Sequence, residues 1–173
     1  MEIRALRPND DRTRSSCGNA DLDRFFTRYA AQNQFENHIG TTYVAVEGDL
    51  IAGFVTVAPG QIEAADLPPS TLTGRLPRYP LPILRLARMG VAQTIQRKGV
   101  GSELLRFVFE LGLKMSEDYG CVGVCVDAKS EAIEFYEPFD VRRMEASSGQ
   151  LRIGPKPTLL FISMHTIRDG LRR

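Results

Sequence analysis

The chain has 173 residues, of which 43% are hydrophobic and 25% are charged, and its formal net charge is +1. This length corresponds to one domain with a substantial core, and the composition is that of an ordinary soluble globular protein. A net charge this small excludes a strongly basic field over the whole molecule, so each charged patch must be judged locally.

Membrane insertion and secretion are not expected from the sequence. No window reaches the roughly 18 uncharged apolar residues that a membrane span needs. The N-terminus, MEIRALRPNDDRTR, is charged from its second residue and lacks the apolar core of a signal peptide. The three cysteines, an odd count, show no paired spacing. We therefore expect a protein of the reducing cytoplasm.

The first predicted elements are a strand, MEIRAL, and a helix that runs to about residue 37. Asn19 or Asp21 can cap this helix, because a short polar side chain accepts a free backbone N–H there. Apolar residues then recur at helical spacing. The next segment, TTYVAVEGDLIAGFVTVA, predicts a β-hairpin: two β-rich runs flank the turn formers Glu47-Gly48-Asp49.

Residues 59–82 are proline-rich and lack periodicity, which predicts one long connection inside the domain, of a kind that is often functional. The remaining predicted elements are the strand ILRLARMGVA, a helix from Gly99 to about Glu117, the strand CVGVCVDA, a short helix SEAIEFYEPF capped by Ser130, and the strands VRRMEA and TLLFISMHT. Strands interleaved with helices, with hairpins at both ends, indicate a mixed α/β sheet.

The segment QRKGVG, residues 96–101, lies between a predicted strand and a predicted helix. A helix N-terminus has unpaired N–H groups that attract anions, and glycine lets a phosphate approach the backbone. The pattern matches neither the mononucleotide P-loop nor the dinucleotide fingerprint. Taken alone, the segment is either an ordinary strand-to-helix turn or a cradle for phosphates.

The charge around this turn favours a polyanionic ligand. From Leu67 through Ser102 the chain has no Asp or Glu, and this acid-free stretch contains six cations. A solvated basic face is the alternative. The six cations are Arg75, Arg78, Arg85, Arg88, Arg97 and Lys98.

The segment RMGVAQTIQRKGVGSELL resembles the acetyl-CoA motif of the GNAT N-acetyltransferase superfamily, a strand followed by Q/R-x-x-G-x-G/A and a helix. The resemblance implies a single domain over residues 1–173, with a mixed, mostly antiparallel sheet of six or seven strands flanked by helices. It implies that acetyl-CoA lies in a V-shaped split beside ILRLARMGVA, and no metal is implied. The implied pyrophosphate loop consists of Gln96, Arg97, Lys98, Gly99, Val100, Gly101 and Ser102, and the backbones of Met89, Gly90 and Val91 hold the pantetheine arm.

A second segment, AIEFYEPFDV, is similar to the family's A-x-x-F-Y-x-x-x-G-F pattern. The resemblance makes Tyr136 the general acid that protonates the departing thiolate. The alternative is that Phe135 and Tyr136 are packing aromatics. Asp140 replaces the usual Gly, Val141 replaces the usual Phe, and Lys129 replaces a common cofactor-contacting Asn.

No general base is assigned. His38 and His165 have no partner at telling spacing, and Asp127 and Glu131 are equally well explained as helix-start residues. A free amine of near-neutral pKa needs only a chain of waters. The even spacing of Cys121 and Cys125 predicts one strand face and core packing. No set of metal ligands is present.

The N-terminal half, from SSCGNADLDRFF to GFVTVA, resembles the branch of these enzymes that acts as toxins in bacterial toxin–antitoxin pairs. The resemblance implies acetylation of the α-amine of aminoacyl-tRNA, a DNA-binding antitoxin partner and a homodimer. A tRNA substrate explains the basic stretch, because Lys and Arg bind phosphates without sequence preference. The predicted tRNA-binding residues are Arg75, Arg78, Arg85 and Arg88, with Arg142, Arg143, Arg168, Arg172 and Arg173 as extensions.

Two other functions stay open at this point. The same fold can acetylate a small amine, a peptide or a protein N-terminus. A non-catalytic CoA-binding regulator is the third hypothesis, and it predicts acetyl-CoA binding without turnover.

Overall fold

The computed structural model describes residues 1–68, 76–144 and 158–172, and the chain divides into two compact units. The first unit comprises Met1–Ala58 and Leu86–Glu110, and the second comprises Pro59–Arg85 and Leu111–Arg173. Strands of the described residues form a seven-stranded sheet in the order β1-β2-β3-β4-β5-β7-β6. They are β1 Glu2–Ala5, β2 Thr41–Glu47, β3 Leu50–Ile62, β4 Leu81–Val91, β5 Gly123–Ala128, β6 Arg142–Arg143 and β7 Thr158–Ser163.

The helices of the described residues are α1 Ala20–Arg24, α2 Ala30–Phe35, α3 Val100–Asp118, α4 Ile133–Tyr136 and α5 Met164–Leu171. A π-helical turn, Phe25–Tyr29, joins α1 to α2, and short 3₁₀ turns lie at Ala64–Asp66, Gln93–Ile95, Ser130–Ala132 and Glu137–Phe139. The seven-stranded sheet with flanking helices confirms the predicted α/β fold class. The prediction of a single domain stays a prediction.

In the first unit, β1, β2 and β3 pair antiparallel, with Val44 opposite Phe54 and a bulge between Ala45 and Val46. The predicted hairpin is confirmed. Its turn contains Gly48 at φ 62°, a left-handed conformation that glycine adopts without a Cβ penalty. Strand β3 runs to Ile62, so residues 59–62 belong to the sheet and not to the predicted loop.

The helical segment after Gly18 packs on one face of this hairpin. The Asn19 side chain accepts a hydrogen bond from Leu22 N–H, as the capping prediction requires. Phe25, Phe26 and Ala30 are buried in one cluster that also contains Phe54. The rings of Phe26 and Phe54 stack at 4.3 Å. This aromatic core fixes the helices on the strands.

In the second unit, β7 pairs antiparallel with both β5 and β6. Gly112 of α3 brings the helix close to β5, since a Cβ there would lie 3.0 Å from Val124 Cγ2. A separate cluster contains Leu67, Leu81, Ile83, Cys125 and Phe161. Because Val124 and Cys125 point to opposite faces of β5, this cluster lies on the face away from α3.

Three predictions about elements are wrong. Ser130 does not cap α4: its hydroxyl bonds the Glu131 carboxylate inside a 3₁₀ turn. The residues MHT do not continue the last strand, because the Ser163 side chain accepts from Thr166 N–H and starts α5. The loop predicted over 59–82 is shorter, since β3 and β4 occupy its two ends. Residues 69–75 of that loop lie outside the described residues.

Across the described ranges, no helix has the length and apolar character that crossing a membrane requires.

Candidate functional site

The turn between β4 and α3 has a backbone shape that suits an anion. Arg97 and Gly99 both have left-handed φ values, 64° and 89°, and α3 starts at Val100. Alternating backbone handedness of this kind gathers successive N–H groups into an anion-binding concavity. Glu103 N–H bonds the Gly99 carbonyl, so the N–H groups between them have no acceptor inside the helix. Gly99 meets open space, and its φ alone accounts for the glycine.

The side-chain amide of Gln96 is occupied by two backbone carbonyls and does not point into the anion concavity. Its Nε2 donates to the carbonyl of Val91 at 3.0 Å and to the carbonyl of Cys17 at 3.0 Å. One side chain therefore connects the end of β4, the start of the turn and the N-terminal segment. Sequence reasoning placed Gln96 among the cofactor-binding residues; the structure gives its side chain a positioning role.

The segment Ser16–Asn19 is itself held to α1 by Asp23. The carboxylate accepts from the Ser16 hydroxyl at 2.6 Å and from the Cys17 N–H at 2.9 Å. Burial raises the pKa of Asp23, but these hydrogen bonds outweigh burial and lower the pKa below its ordinary value. Gly18, at φ 83°, lies directly against the Gln93 side chain. The segment Cys17–Asn19 thus contacts α1 through Asp23 and the turn after β4 through Gln96 and Gln93.

The strand predicted to hold a pantetheine arm, β4, is closely packed near its C-terminal end. A Cβ on Gly90 would lie 2.8 Å from Phe54 Cε1 and 3.2 Å from Cys17 Sγ, so only glycine fits there. Met89 and Val91 are half-buried on either side. Arg97, Lys98 and Gly99 are exposed, whereas Val100 is buried and anchors the start of α3. Gly101 and Ser102 follow at an intermediate burial.

The predicted acid, Tyr136, lies in the second unit at the end of α4 and is 4% exposed. Burial raises its pKa well above the ordinary value, so the phenol keeps its proton. The Phe135 ring meets the Tyr136 ring edge-on at 5.0 Å. The geometry provides a protonated hydroxyl of fixed position, and its role as the acid stays a prediction.

Asp140 lies in a left-handed turn, at the position where the pattern quoted for this segment has glycine. Its φ is 60° and its N–H reaches the Glu137 carbonyl at 3.4 Å, which closes the turn after α4. This left-handed conformation is comfortable for glycine, and Asp is one of the few other residues that adopt it. Asp140 therefore adopts a left-handed conformation at the position where the quoted pattern has glycine. Val141 is half-buried next to it.

The four predicted tRNA-binding arginines differ in their surroundings. Arg85 makes a bidentate ion pair with Asp127, at 2.8 and 2.9 Å. Arg88 stacks its guanidinium over the Phe25 ring at 4.2 Å from the centroid. Arg78 is exposed, and Arg75 lies outside the described residues. Among the suggested extensions, Arg142, Arg143, Arg168 and Arg172 are exposed, and Arg173 also lies outside.

The remaining candidates differ in their surroundings. His38 and His165 are exposed. Asp127 lies within β5, where Arg85 engages it, so its interpretation as a helix-start residue is wrong, whereas Glu131 lies in the 3₁₀ turn that precedes α4. Cys121 and Cys125 are buried, which confirms core packing, and burial raises the pKa of Cys125 to about 12. In the part of the chain that the structure describes, no group of three His, Cys, Asp or Glu side chains could hold a metal ion.

Sequence reasoning missed two features. The first is the brace formed by Gln96, Cys17 and Asp23; the sequence contains only the short C-G-N stretch as a signal. The second is a cavity in the second unit, lined by residues from well-separated stretches of the chain. Because its residues converge only in the folded unit, no pattern in the sequence announces it.

The model of the family described as "Acetyltransferase (GNAT) domain" matches residues 38–140. The chain is 30% identical over 141 residues to the "tRNA-acetylating toxin" of Mycobacterium tuberculosis (strain ATCC 25618 / H37Rv), and this match covers 79% of the chain and 81% of the relative.

Two solved structures are similar in fold. One is AtaT complexed with acetyl-methionyl-tRNAfMet, with a TM-score of 0.82, 21% identity and 98% of each chain covered. The other is a mutant AtaT toxin bound to the C-terminus of the antitoxin AtaR and acetyl-CoA, with a TM-score of 0.77, 19% identity, 99% of this chain covered and 98% of that one.

Proposed function

Because the chain belongs to the GNAT acetyltransferases, we propose that it transfers the acetyl group of acetyl-CoA to the α-amine of aminoacyl-tRNA and thereby acts as a toxin. The observation that carries this proposal is the similarity to the mycobacterial tRNA-acetylating toxin, which spans four-fifths of both chains. Acetylation of the α-amine removes the nucleophile that peptide-bond formation needs, so the modified tRNA cannot elongate a peptide.

The turn between β4 and α3 supports the cofactor part of the proposal. Left-handed Arg97 and Gly99 and the free N–H groups at the start of α3 suit the pyrophosphate of acetyl-CoA. Arg97 and Lys98 add positive charge at its rim. The backbone of Met89–Val91 is the proposed partner of the pantetheine amides. When bound, acetyl-CoA supplies an acetyl thioester that an amine can attack.

Tyr136 is the residue that we propose as the general acid. The attacking amine forms a bond to the thioester carbon and loses one proton to a chain of waters, and the carbon–sulfur bond breaks as the tetrahedral intermediate collapses. The sulfur then needs a proton. Burial keeps the Tyr136 phenol protonated, so this side chain has a proton that it can donate to the sulfur.

We propose that tRNA phosphates bind the acid-free stretch, chiefly at Arg78 and Arg75. Arg85 and Arg88 already have partners, Asp127 and the Phe25 ring, so their contribution is smaller. Binding through phosphates falls as salt rises, in proportion to the number of contacts. The affinity for tRNA should therefore drop steeply between low and moderate ionic strength.

We also propose a DNA-binding antitoxin partner, a cytoplasmic location and a homodimer. The similar solved structure of AtaT with the C-terminus of AtaR supports the antitoxin. We expect a small reading frame beside this gene to encode a DNA-binding protein that co-purifies with the chain. Sedimentation of the purified chain tests the dimer.

The deciding experiment incubates the protein with labelled acetyl-CoA and charged tRNA, in parallel with uncharged tRNA, polyamines, aminoglycosides and peptides. We expect label only in charged tRNA, as an alkali-labile N-acetyl-aminoacyl ester. Label in small amines or peptides but not in tRNA assigns the small-amine function instead. Thermal stabilisation by acetyl-CoA, with no free thiol released on any acceptor, assigns the non-catalytic regulator.

A further inference from the structure

The segment Ser16–Asn19 contacts two parts of the proposed cofactor site, although it belongs to no helix or strand. Cys17 packs against β4, since a Cβ on Gly90 would lie 3.2 Å from the Cys17 Sγ. The Cys17 carbonyl also accepts a hydrogen bond from Gln96 Nε2 at 3.0 Å. The segment therefore touches both the strand proposed for the pantetheine arm and the turn proposed for the pyrophosphate.

The Asp23 carboxylate holds this segment on α1. It accepts from the Cys17 N–H at 2.9 Å and from the Ser16 hydroxyl at 2.6 Å. Helix α1 continues directly into the π-helical turn that contains the buried Phe26, whose ring stacks on Phe54 of β3 at 4.3 Å. The position of the aromatic core is thus passed through Asp23 to the segment and from there to Gln96.

The turn itself has few side-chain contacts that could fix its shape. Arg97 has a left-handed φ of 64°, which is unfavourable for a residue with a Cβ. Among the described residues, the exposed side chains of Arg97 and Lys98 make no hydrogen bond or ion pair, whereas Gln96 makes two. A site that is already shaped before its ligand arrives avoids the cost of ordering it on binding. The Gln96 contacts are therefore the part of the turn that can set affinity in advance.

We propose that Asp23 is a positioning residue for acetyl-CoA. Through Cys17 and Gln96, it holds the turn at residues 96–99 in the shape that receives the pyrophosphate, without touching the cofactor itself. This role rests on the proposed binding of acetyl-CoA at the turn, and it adds a residue of α1 that sets the affinity. A change at Asp23 should therefore weaken cofactor binding and leave the chemical step as it is.

The first test measures the Kd for acetyl-CoA by isothermal titration, which needs no acceptor. Asp23→Ala removes both hydrogen-bond acceptors and should raise the Kd about tenfold, the effect of one lost hydrogen bond to a charged group. Asp23→Asn keeps an oxygen for the Cys17 N–H and should raise the Kd less than about threefold. Asp21→Ala, at an exposed position on the same helix, is the matched control and should leave the Kd unchanged.

The second test separates positioning from a general loss of stability. With charged tRNA as acceptor, Asp23→Ala should raise the KM for acetyl-CoA about tenfold, while kcat and the KM for charged tRNA change less than about twofold. Asp10→Asn breaks the buried ion pair with Arg4 in the same unit, so it should destabilise the fold without changing the Kd for acetyl-CoA. If Asp10→Asn weakens cofactor binding as much as Asp23→Ala does, the proposal is wrong.

A double-variant cycle tests the route through Gln96. Because Asp23 and Gln96 act through one chain of hydrogen bonds, Asp23→Ala combined with Gln96→Ala should bind acetyl-CoA no more weakly than Gln96→Ala alone. Two independent effects would multiply instead, and that result would overturn the proposal. A parent-like Kd in Asp23→Ala would also overturn it, while acetyl transfer to charged tRNA by the parent would still stand. If the parent protein binds no acetyl-CoA, the proposed function fails, and the role of Asp23 fails with it.

Discussion

The two units of the molecule carry their candidate sites in opposite ways. In the first unit, the turn at residues 96–102 is contiguous in sequence, and backbone conformation at Arg97 and Gly99 shapes it. In the second unit, the cavity is lined by residues of the four strands β3, β4, β5 and β7 and by Met144, which follows β6, and Tyr136 lies on α4. A contiguous backbone site can be recognised in a sequence, whereas a site built from converging side chains becomes visible only once the chain is folded.

This contrast predicts that cofactor affinity depends on the first unit and that turnover depends on the second. The largest expected effect comes from Gly101→Glu, which puts a carboxylate at the start of α3 beside the proposed pyrophosphate. Like-charge repulsion of a few kcal/mol should raise the Kd for acetyl-CoA about a hundredfold or more.

Isothermal titration with acetyl-CoA measures that Kd, and circular dichroism checks the fold. The matched control is Gly170→Glu, because Gly170 faces open space on α5. Unchanged affinity in the Gly101 variant would mean that the turn does not hold the cofactor.

Tyr136→Phe tests the other half of this contrast, the dependence of turnover on the second unit. Removing the phenol proton donor should lower kcat about a hundredfold, the usual contribution of a general acid, while the Kd for acetyl-CoA changes less than about twofold. Release of the CoA thiol measures the rate. Tyr119→Phe, at a 75% exposed position in the same unit, is the control. A variant with full turnover would leave Tyr136 as a packing aromatic.

Asp10→Asn tests how much the ion pair of Asp10 with Arg4 contributes to the stability of the first unit. The Asp10 carboxylate accepts from both Arg4 guanidinium nitrogens, at 2.9 and 2.8 Å, and both side chains are largely buried. The hydrogen bonds from Arg4 hold the pKa of Asp10 below its ordinary value, against a smaller opposing effect of burial. Losing a charged hydrogen-bonded partner should reduce the free energy of unfolding at pH 7 by about 2 kcal/mol.

The pH dependence of that loss follows from the direction of the pKa shift. A carboxyl with a lowered folded pKa stabilises the fold above its unfolded pKa and loses this contribution as pH falls through the folded value. The gap between parent and Asp10→Asn should therefore close below about pH 4. Urea unfolding at pH 7 and pH 3 measures it. Asp21→Asn, whose pair with Arg24 is exposed, should cost less than about 0.5 kcal/mol.

The smallest effect is expected from Asp140→Gly in the second unit. Glycine adopts the φ of 60° at this turn without the Cβ penalty, so the variant should gain about 0.5 kcal/mol in unfolding free energy. Asp140→Ala, which lacks both the conformational freedom of glycine and the local hydrogen bonding of aspartate, should lose stability instead. Thermal melts of the parent, Asp140→Gly and Asp140→Ala give their order of stability. An Asp140→Ala variant as stable as Asp140→Gly would contradict this prediction.

The sequence predicts most of the fold because the element signals are local. The hairpin at 41–58, the helix over 99–117 and the Asn19 cap each depend on neighbouring residues, and each appears in the structure. The C-terminal helix α5 was missed because TLLFIS and MHT are continuous in hydrophobicity, and only the Ser163 cap separates them. No local pattern predicted the π-helical turn at Phe25–Tyr29, in which Phe25 and Phe26 are buried against the core.

The candidate site, like the fold, is predictable only where its residues are neighbours in the sequence. The turn at 96–102 and the aromatic pair Phe135-Tyr136 are predicted from contiguous motifs. The ion pair of Arg85 with Asp127 joins residues 42 positions apart, and the Gln96 contact with Cys17 joins residues 79 positions apart. Such long-range partners decide what a side chain is free to do, and a single sequence contains no measure of them.

The placement of the three cysteines gives the molecule an intrinsic chemical reporter. Cys121 and Cys125 are buried in the core. Cys17 is only half-buried, and its backbone hydrogen-bonds to Asp23 and Gln96. Under native conditions, Cys17 is therefore the thiol that we expect an alkylating reagent to reach first, and its rate depends on the exposure of this segment. Because Gln96 joins this segment to the turn, a ligand that holds the turn should slow the alkylation of Cys17, which mass spectrometry of the unaltered chain can follow.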